Sequence, residues 1–162
     1  MQLTLYTDYS LRVLVYLSLN QDRSATISEI ADFYQVSRNH LVKVVHNLSL
    51  KKYIISTRGK GGGLRLSRKP QLINIGAVVR DTEPNFHVVE CFNSESPNSC
   101  SVEPLCQLKG ILGKATSQFL STLDAYAISD ILKENLDNVN IVELDPQLQK
   151  ILMQNTEKES EL

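Results

Sequence analysis

No apolar run in the sequence approaches the length of a membrane-spanning helix. The first residues show no basic segment followed by an apolar stretch, so no signal peptide is expected. The chain has only three cysteines, and an odd number disfavours a framework of disulfides. The sequence also lacks an internal repeat and any nucleophile–base motif of the kind that covalent catalysis requires. These absences predict a cytoplasmic protein that does not bind membranes and is not an enzyme. A chain of 162 residues can bury a core without disulfides.

The net charge of the chain is small, and the small value hides an asymmetry between two halves. The whole chain has 17 Lys+Arg and 18 Asp+Glu, which gives −1. Residues 1–70 hold 11 Lys+Arg against 4 Asp+Glu, a balance of +7, and residues 71–162 hold 6 against 14, a balance of −8. Because nucleic acid is a polyanion, this asymmetry indicates that the first 70 residues bind nucleic acid.

The basic half is predicted to contain three helices. Apolar residues recur at helical spacing between residues 11 and 19, which predicts a first helix that begins near residue 7 or 8. Thr26 with Glu29 three residues later is a capping-box signature for a short second helix. Ser37 is a suitable N-cap for a third helix. The apolar positions of that third helix fall at i, i+3, i+4 and i+7: Leu41, Val44, Val45 and Leu48.

A β-hairpin is predicted after these helices. Residues 53–55 are aromatic and β-branched, residues 58–63 (Arg-Gly-Lys-Gly-Gly-Gly) form a turn that tolerates positive φ, and residues 64–66 alternate like a second strand. A short helix, a tight turn, a second helix and a hairpin make up a winged helix-turn-helix. The predicted fold class is therefore mainly α with a small β-hairpin, followed by a long C-terminal dimerisation helix.

The acidic half is predicted to consist of further helices and one loop. Asn74 can cap a short helix that Pro84 stops, and residues 85–103 have no periodicity and form a loop. A long helix is expected from Pro104, and residues 127–136 form a further helical segment, while the polar tail from residue 145 is expected to fray. The apolar seam of the long helix indicates packing against a partner helix: Leu105, Leu108, Leu112, Ala115 and Phe119. We divide the chain into a winged helix-turn-helix domain at 1–70, a cysteine loop with dimerisation helices at 71–140, and a polar tail at 141–162 that is expected to be flexible.

The third helix and the wing carry the residue types that read duplex DNA. An α-helix fits the major groove, where Arg pairs with guanine and Asn with adenine, and a helix N-terminus favours a phosphate. Arg58 and Lys60 flank flexible glycines in the wing, so their charges can approach phosphates or enter a minor groove. The predicted DNA-binding residues are Ser37, Arg38, Asn39, His40, Lys43, Arg58 and Lys60.

The three cysteines are crowded in the spacing Cys91-x8-Cys100-x5-Cys106. Three thiolates in a loop that runs into a helix can converge on one metal centre, and a thiolate at a helix N-terminus is stabilised by the helix dipole. The spacing is compatible with zinc and a fourth ligand, or with an iron–sulfur cluster. Three unligated cysteines, one of them packed on the helix face, are a further interpretation.

Three segments together carry a resemblance to a known family: residues 7–12 (TDYSLR), 36–43 (VSRNHLVK) and 58–63 (RGKGGG). The chain resembles the Rrf-type family of winged-helix iron–sulfur regulators from residue 1 to about residue 136, and within that family it is similar to the nitric-oxide-sensing repressors. The resemblance implies that the three cysteines hold an iron–sulfur cluster, either [2Fe-2S] or [4Fe-4S]. It also implies that Asp8, supplied by the other subunit, is the fourth ligand.

Neighbouring residues bear on the implied ligand set. Asp8 and Arg12 are spaced i, i+4 and so share one helix face. They form either a surface ion pair, or a site in which Asp8 is a cluster ligand and Arg12 holds its carboxylate in place. Family members that sense cluster supply use a histidine three residues after the third cysteine, and that position is Lys109 here. His87 is a minor ligand candidate. The gap between Cys91 and Cys100 is longer than is usual in the family, although extra loop length costs little entropy.

The resemblance implies a homodimeric DNA-binding transcriptional repressor whose cluster responds to nitric oxide, so that nitrosative-stress genes are derepressed. A twofold dimer places two reading helices on successive turns of the major groove, so a roughly palindromic operator is expected. Two alternatives remain: a regulator of the same family that senses iron–sulfur supply or redox state, and a zinc-stabilised protein-interaction module.

Overall fold

The computed structural model describes residues 2–59, 61–94, 100–133 and 146–150. In these ranges the protein is mainly helical with one two-stranded antiparallel sheet, which confirms the predicted fold class. The elements are α1 (Leu5–Leu19), α2 (Ile27–Tyr34), α3 (Arg38–Leu50), β1 (Ile54–Thr57), β2 (Gly63–Leu66), α4 (Ile75–Thr82), α5 (Gln107–Asp124) and α6 (Asp130–Lys133). Short 3-10 turns lie at Pro70–Leu72, Glu90–Phe92 and Glu103–Leu105.

Helix α1 lies at the centre of the packing. It contacts α2, α3, α4 and β2, and its residues Val13 and Leu14 are completely buried. The helix begins at Leu5, before the predicted residue 7 or 8, because Thr4 supplies the N-cap and its Oγ1 accepts a hydrogen bond from Thr7 N at 3.2 Å. The core that surrounds α1 extends beyond residue 70 to Ile73, Val78 and Ile128. The domain division proposed from the sequence stays a prediction.

Helices α2 and α3 form the predicted helix-turn-helix. The capping box is confirmed: Glu29 N donates to Thr26 Oγ1 at 3.1 Å, and Thr26 N donates to Glu29 Oε2 at 2.6 Å. Helix α2 ends at Tyr34. The C-cap residue Gln35 adopts the left-handed conformation with φ 52°, and Val36 N then donates to Ala31 O at 3.0 Å. Helix α3 then buries its predicted apolar positions: Leu41, Val44, Val45 and Leu48.

The wing is pinned to the helices by its second strand. Ala25, just before α2, and Leu64 exchange backbone hydrogen bonds of 3.0 and 2.8 Å. At the tip of the hairpin, Gly62 N donates to Gly59 O at 3.0 Å. Gly59 has φ 99°, so this turn uses a backbone conformation that only glycine adopts without strain. A Cβ on Gly62 would collide with Thr57 O and lie 2.9 Å from Arg58 C.

Helix α5 is attached to the core at its C-terminal end. Asn74 caps α4 as predicted, its Oδ1 accepting from Ala77 N at 2.9 Å, and its Nδ2 donates to Asp124 O at 2.7 Å. Arg80 on α4 forms a bidentate pair with Asp124, with Nη1–Oδ1 at 2.5 Å and Nη2–Oδ2 at 2.7 Å. None of the residues of α5 is buried. The C-terminal end of α5 is therefore bonded to α4, while every residue of the helix keeps some exposure to solvent.

Two predicted helix starts in the acidic half are wrong. Pro104 and Leu105 lie in a 3-10 turn closed by Leu105 N to Val102 O at 3.1 Å, so α5 begins at Gln107 and Leu105 is not part of its seam. Residue Ile128 is extended and fully buried, held by Ile128 N to Ile73 O at 2.9 Å, so α6 begins at Asp130 rather than residue 127. The predicted end of that helix at residue 136 lies outside the described residues. In the tail, residues 146–150 are helical, and the expectation that the tail frays stays a prediction.

In the described part of the chain, no helix combines the length and the apolar character needed to cross a bilayer.

Gly62→Ala is expected to destabilise the protein by about 1–3 kcal/mol, because the new methyl group must displace the backbone of β1. Thermal or urea unfolding measures the change. Ser56→Ala, on the exposed face of the same hairpin, is the matched control and is expected to leave the free energy of unfolding unchanged. Equal stability of the two variants would show that the tip of the wing is not constrained by Gly62.

Candidate DNA-reading helix and cysteine site

The predicted DNA-reading residues of α3 lie together on one exposed surface. Packing of the apolar positions against α1 turns the opposite face of α3 to solvent. The exposed residues on this face are Ser37, Arg38, Asn39, His40 and Lys43. The structure therefore brings five of the seven predicted DNA-binding residues onto one face.

The first turn of α3 presents polar groups that the helix does not use itself. Ser37 occupies the predicted N-cap position, and its hydroxyl makes no capping hydrogen bond. The first intrahelical bonds are those from His40 N and Leu41 N to Ser37 O, so the earlier amides of this turn point out of the helix end. Arg38 is positioned by Nε, which donates to Ser28 Oγ at 3.2 Å.

Helix α1 touches the reading face through aromatic side chains. The Tyr9 ring stacks on His40, with centroids 6.3 Å apart and planes 28° apart. Tyr6 Oη donates to Lys43 O at 3.4 Å. Sequence reasoning assigned no site role to either tyrosine, although Tyr9 lies in the TDYSLR segment, because both contacts join residues more than 30 positions apart in the chain. The first two turns of α1 are thus in direct contact with α3.

Asp8 and Arg12 form a bidentate ion pair on the same helix. Arg12 Nε donates to Asp8 Oδ1 at 3.0 Å, and Nη2 lies 2.9 Å from Oδ2. The Arg12 guanidinium also lies 6.0 Å from the ring centroid of Tyr9 and 5.6 Å from that of Tyr34. Burial raises the pKa of Tyr34 to about 12, against an opposing effect of the Arg12 charge. Asp8 is therefore held by a guanidinium that also rests on two aromatic rings.

The wing contributes one described site residue. Arg58 is exposed next to Gly59, as expected for a charge that can reach DNA. Lys60 lies outside the described residues. Arg65 on β2 was not predicted as a site residue; its Nε donates to Ser24 Oγ at 2.9 Å and its Nη2 to Asp22 O at 3.3 Å. This arginine ties the wing to the loop before α2.

The three cysteines form no disulfide and lie in three different local settings. Cys91 is partly buried in the 3-10 turn Glu90–Phe92, and Cys100 is exposed. Cys106 is partly buried and is the N-cap residue of α5, which confirms that this thiol lies at a helix N-terminus. A methyl group built on Gly113 would lie 3.9 Å from Phe92 Cζ, so the turn with Cys91 packs on the same helix.

Lys109 lies near enough to two of these cysteines, Cys91 and Cys106, to interact with them electrostatically. Its Nζ pairs with Glu103 Oε1 at 2.6 Å. That hydrogen bond is the main reason that the pKa of Lys109 is raised, and the electrostatic influence of Cys91 and Cys106 adds to it. His87, Cys91 and Lys109 line an open cavity of about 680 Å³. The structure thus brings Cys91, Cys106 and the minor candidate His87 to one region of the surface.

The donor set fits an iron–sulfur cluster in its chemistry. Thiolates are the ligands that such clusters prefer, and all three cysteines are free of disulfides. In the described residues of one chain, no three His, Cys, Asp or Glu side chains gather as a metal site. A single chain therefore does not bring Asp8 and the three cysteines into one centre.

Helix α5 presents an apolar surface beside the cysteine region. Leu108 is 57 % exposed and Ile111 is 61 % exposed, although both are large apolar residues. Leu105, in the turn before the helix, is 90 % exposed. Exposed apolar residues in such a row are typical of a surface that packs against another chain.

Comparison with curated proteins connects the chain to a group of bacterial regulators. The HTH-type transcriptional regulator NsrR of Bacillus licheniformis is 49 % identical over 140 residues, which cover 86 % of this chain and 96 % of that protein. The protein of the same name from Bacillus subtilis is 43 % identical over 145 residues, which cover 89 % and 99 %. The aligned length includes both the helix-turn-helix and the cysteine region in each case.

Solved structures share the fold. The structure of T. potens IscR superposes with a TM-score of 0.66 at 18 % identity, covering 90 % of this chain and 93 % of that one. The structure of CymR, the global cysteine regulator of B. subtilis, gives a TM-score of 0.62 at 20 % identity, covering 82 % and 97 %. The model of the Rrf2 family, described as an iron-dependent transcriptional regulator, matches residues 3–134. The chain therefore belongs to the Rrf2 family of transcriptional regulators and is not an enzyme.

Proposed function

We propose that the protein is a homodimeric repressor that senses nitric oxide through an iron–sulfur cluster. The cluster is held by Cys91, Cys100 and Cys106 of one subunit and by Asp8 of the partner subunit. Relatives named NsrR support this assignment, because they are 43–49 % identical to this chain over 86–89 % of its length. The exposed polar face of α3 reads DNA, and the response of the cluster decides whether the two reading helices keep the spacing of the operator.

One observation carries the proposal: α1 holds the ligand candidate and touches the reading helix within the same two turns. Asp8 is bound by Arg12, and the adjacent Tyr9 stacks on His40 at the start of α3. A displacement of Asp8 therefore moves α1, which is in contact with the DNA-reading face of α3.

The residues of the chain perform three tasks in this switch. The thiolates and Asp8 retain the cluster, which supplies iron that reacts with nitric oxide. Arg12 orients the carboxylate of Asp8 through two hydrogen bonds and holds it until it is needed as a ligand. When Asp8 no longer binds the cluster, α1 of one subunit is no longer linked to the cysteine loop of the other. The fraction of dimers whose reading helices fit the operator then falls.

Helix α5 supplies the surface that joins the two subunits. Its exposed apolar residues Leu108 and Ile111 are followed by Leu112 and Phe119, which are partly buried in one chain. Pairing of two α5 helices buries this row and brings each cysteine region toward the other subunit. In such a dimer a twofold axis relates the two α3 helices, so the operator that they read is roughly palindromic.

The proposal as a whole is tested by visible absorbance and a gel shift on anaerobically reconstituted protein, before and after nitric oxide. We expect a coloured protein that binds its operator and loses affinity when nitric oxide is added. A colourless protein that binds zinc would support the interaction module instead. Loss of affinity on exposure to oxygen or an iron chelator, with no response to nitric oxide, would indicate a sensor of redox state or cluster supply.

The reading face is tested by Asn39→Ala and Lys43→Ala. Asn39→Ala is expected to lose roughly 1–3 kcal/mol of binding to the operator and to leave affinity for unrelated DNA unchanged. Lys43→Ala is expected to weaken binding to all sequences and to lower the salt dependence of log K by about 1. Fluorescence anisotropy at several salt concentrations measures both effects. Lys114→Ala, which removes the same charge from α5, is the control, and an equal effect there would contradict a dedicated reading face.

The ligand role is tested by Asp8→Ala and Arg12→Ala. Removal of Asp8 is expected to bleach the cluster faster in the presence of a chelator, and removal of Arg12 to lower cluster affinity by roughly 10–100-fold, because an orienting partner of a ligand is lost. Circular dichroism is expected to show an intact fold for both. Asp32→Ala, an exposed aspartate on α2, is the control. Identical bleaching rates in the wild type and Asp8→Ala would exclude Asp8 as a ligand.

A further inference from the structure

A pair of contacts joins the start of α1 to the end of α4. Glu83 Oε1 accepts hydrogen bonds from Thr4 N at 2.7 Å and from Thr4 Oγ1 at 3.0 Å. About one turn further along α1, Thr7 Oγ1 donates at 2.9 Å to Oγ1 of Thr82, the residue before Glu83, and both threonines are buried. These groups are separated by more than 70 residues in sequence. The first turn of α1 is therefore fixed to the end of α4 at two points.

Glu83 is also the root of the loop that leads to Cys91. It is the C-cap residue of α4, and its backbone N donates to Val79 O at 2.9 Å. Pro84 follows directly and restricts the chain where it leaves the helix. Residues 84–88 of this loop and residues 2–4 line one small cavity of about 300 Å³. A displacement at the base of the loop therefore changes the positions of Glu83 and of the residues before α1.

The same first turn of α1 positions Asp8. Asp8 N donates to Thr4 O at 3.0 Å, so the backbone of Asp8 is bonded to the residue that Glu83 holds. The path from the base of the cysteine loop to Asp8 thus runs through Glu83 and Thr4 within one chain. Each step of that path is a hydrogen bond of ordinary length.

We propose that Glu83 is a positioning residue that fixes Asp8 to the base of its own cysteine loop, so that cluster loss in one subunit promotes cluster loss in the other. The inference rests on the proposed function, in which Asp8 is a ligand to the cluster of the partner subunit. Each subunit then supplies a cysteine loop to one cluster and a carboxylate to the other. Relaxation of one cysteine loop moves Glu83 and withdraws Asp8 from the second cluster, and the coupling runs in both directions.

The experiment follows cluster loss from reconstituted dimers by native mass spectrometry under a chelator. Independent sites would leave roughly half of the dimers with a single cluster when half of the clusters are gone, whereas coupling of about fivefold or more keeps this fraction below roughly a third. We expect the low fraction in the wild type and the statistical half in Glu83→Ala. Glu83→Gln keeps an oxygen that accepts both hydrogen bonds from Thr4, so it is expected to restore the wild-type distribution.

A second readout needs no cluster. In the cluster-free protein, Glu83→Ala is expected to increase hydrogen exchange at the amides of Thr4 and Asp8, and Glu83→Gln is not. Glu90→Ala, which removes an exposed acidic residue from the same loop, is the control for charge in both measurements. A statistical distribution in the wild type, or a Glu83→Ala distribution equal to that of the wild type, would overturn this inference alone. A wild-type protein that takes up no cluster would overturn the proposed function, and this inference with it.

Discussion

The close packing of α1 against three helices and the wing is the constraint on which the rest of the structure depends. Val13 and Leu14 are excluded from solvent, and the small buried residues Thr7 and Ser10 allow neighbouring backbones to approach. Because a close-packed interior transmits displacement rather than absorbing it, α1 cannot shift without changing its contacts to α3 and α4. The helix that carries a ligand candidate is thus also the helix that supports the reading face.

The opposite net charges of the two halves have a structural counterpart. The basic half presents its polar residues on an open face of α3, where DNA can approach without desolvating the core. Across the boundary between the halves, Lys51 pairs with Asp81 at 3.0 Å and Tyr53 Oη donates to Asp81 Oδ2 at 2.7 Å. Burial and the bond to Asp81 raise the pKa of Tyr53, which keeps this phenol a hydrogen-bond donor. Opposite charge therefore also helps to join the end of α3 to α4.

Local signals in the sequence predicted local structure well. The capping box at Thr26 and the cap at Asn74 depend on residues three positions apart, so both could be predicted from the sequence. The start of α5 was misplaced because the 3-10 turn that contains Pro104 has no periodic signature. The contacts of Tyr9 with His40 and of Thr4 with Glu83 join residues that lie far apart in the chain. Only the fold brings such pairs together, so the outline of the site was predictable and its internal connections were not.

The attachment of α5 at one end makes this helix a lever. Its 18 residues span about 27 Å at the usual rise of an α-helix, from the pivot at Arg80 and Asp124 to Cys106 at the far end. A rotation of roughly five degrees at that pivot would move the far end by about 2 Å, the length of a metal–ligand bond. The ion pair near the end of α5 thus sets how finely the position of Cys106 is controlled. Because the helix is about ten times longer than the contact distances of the pair, a small shift at the pair becomes a displacement about ten times larger at Cys106.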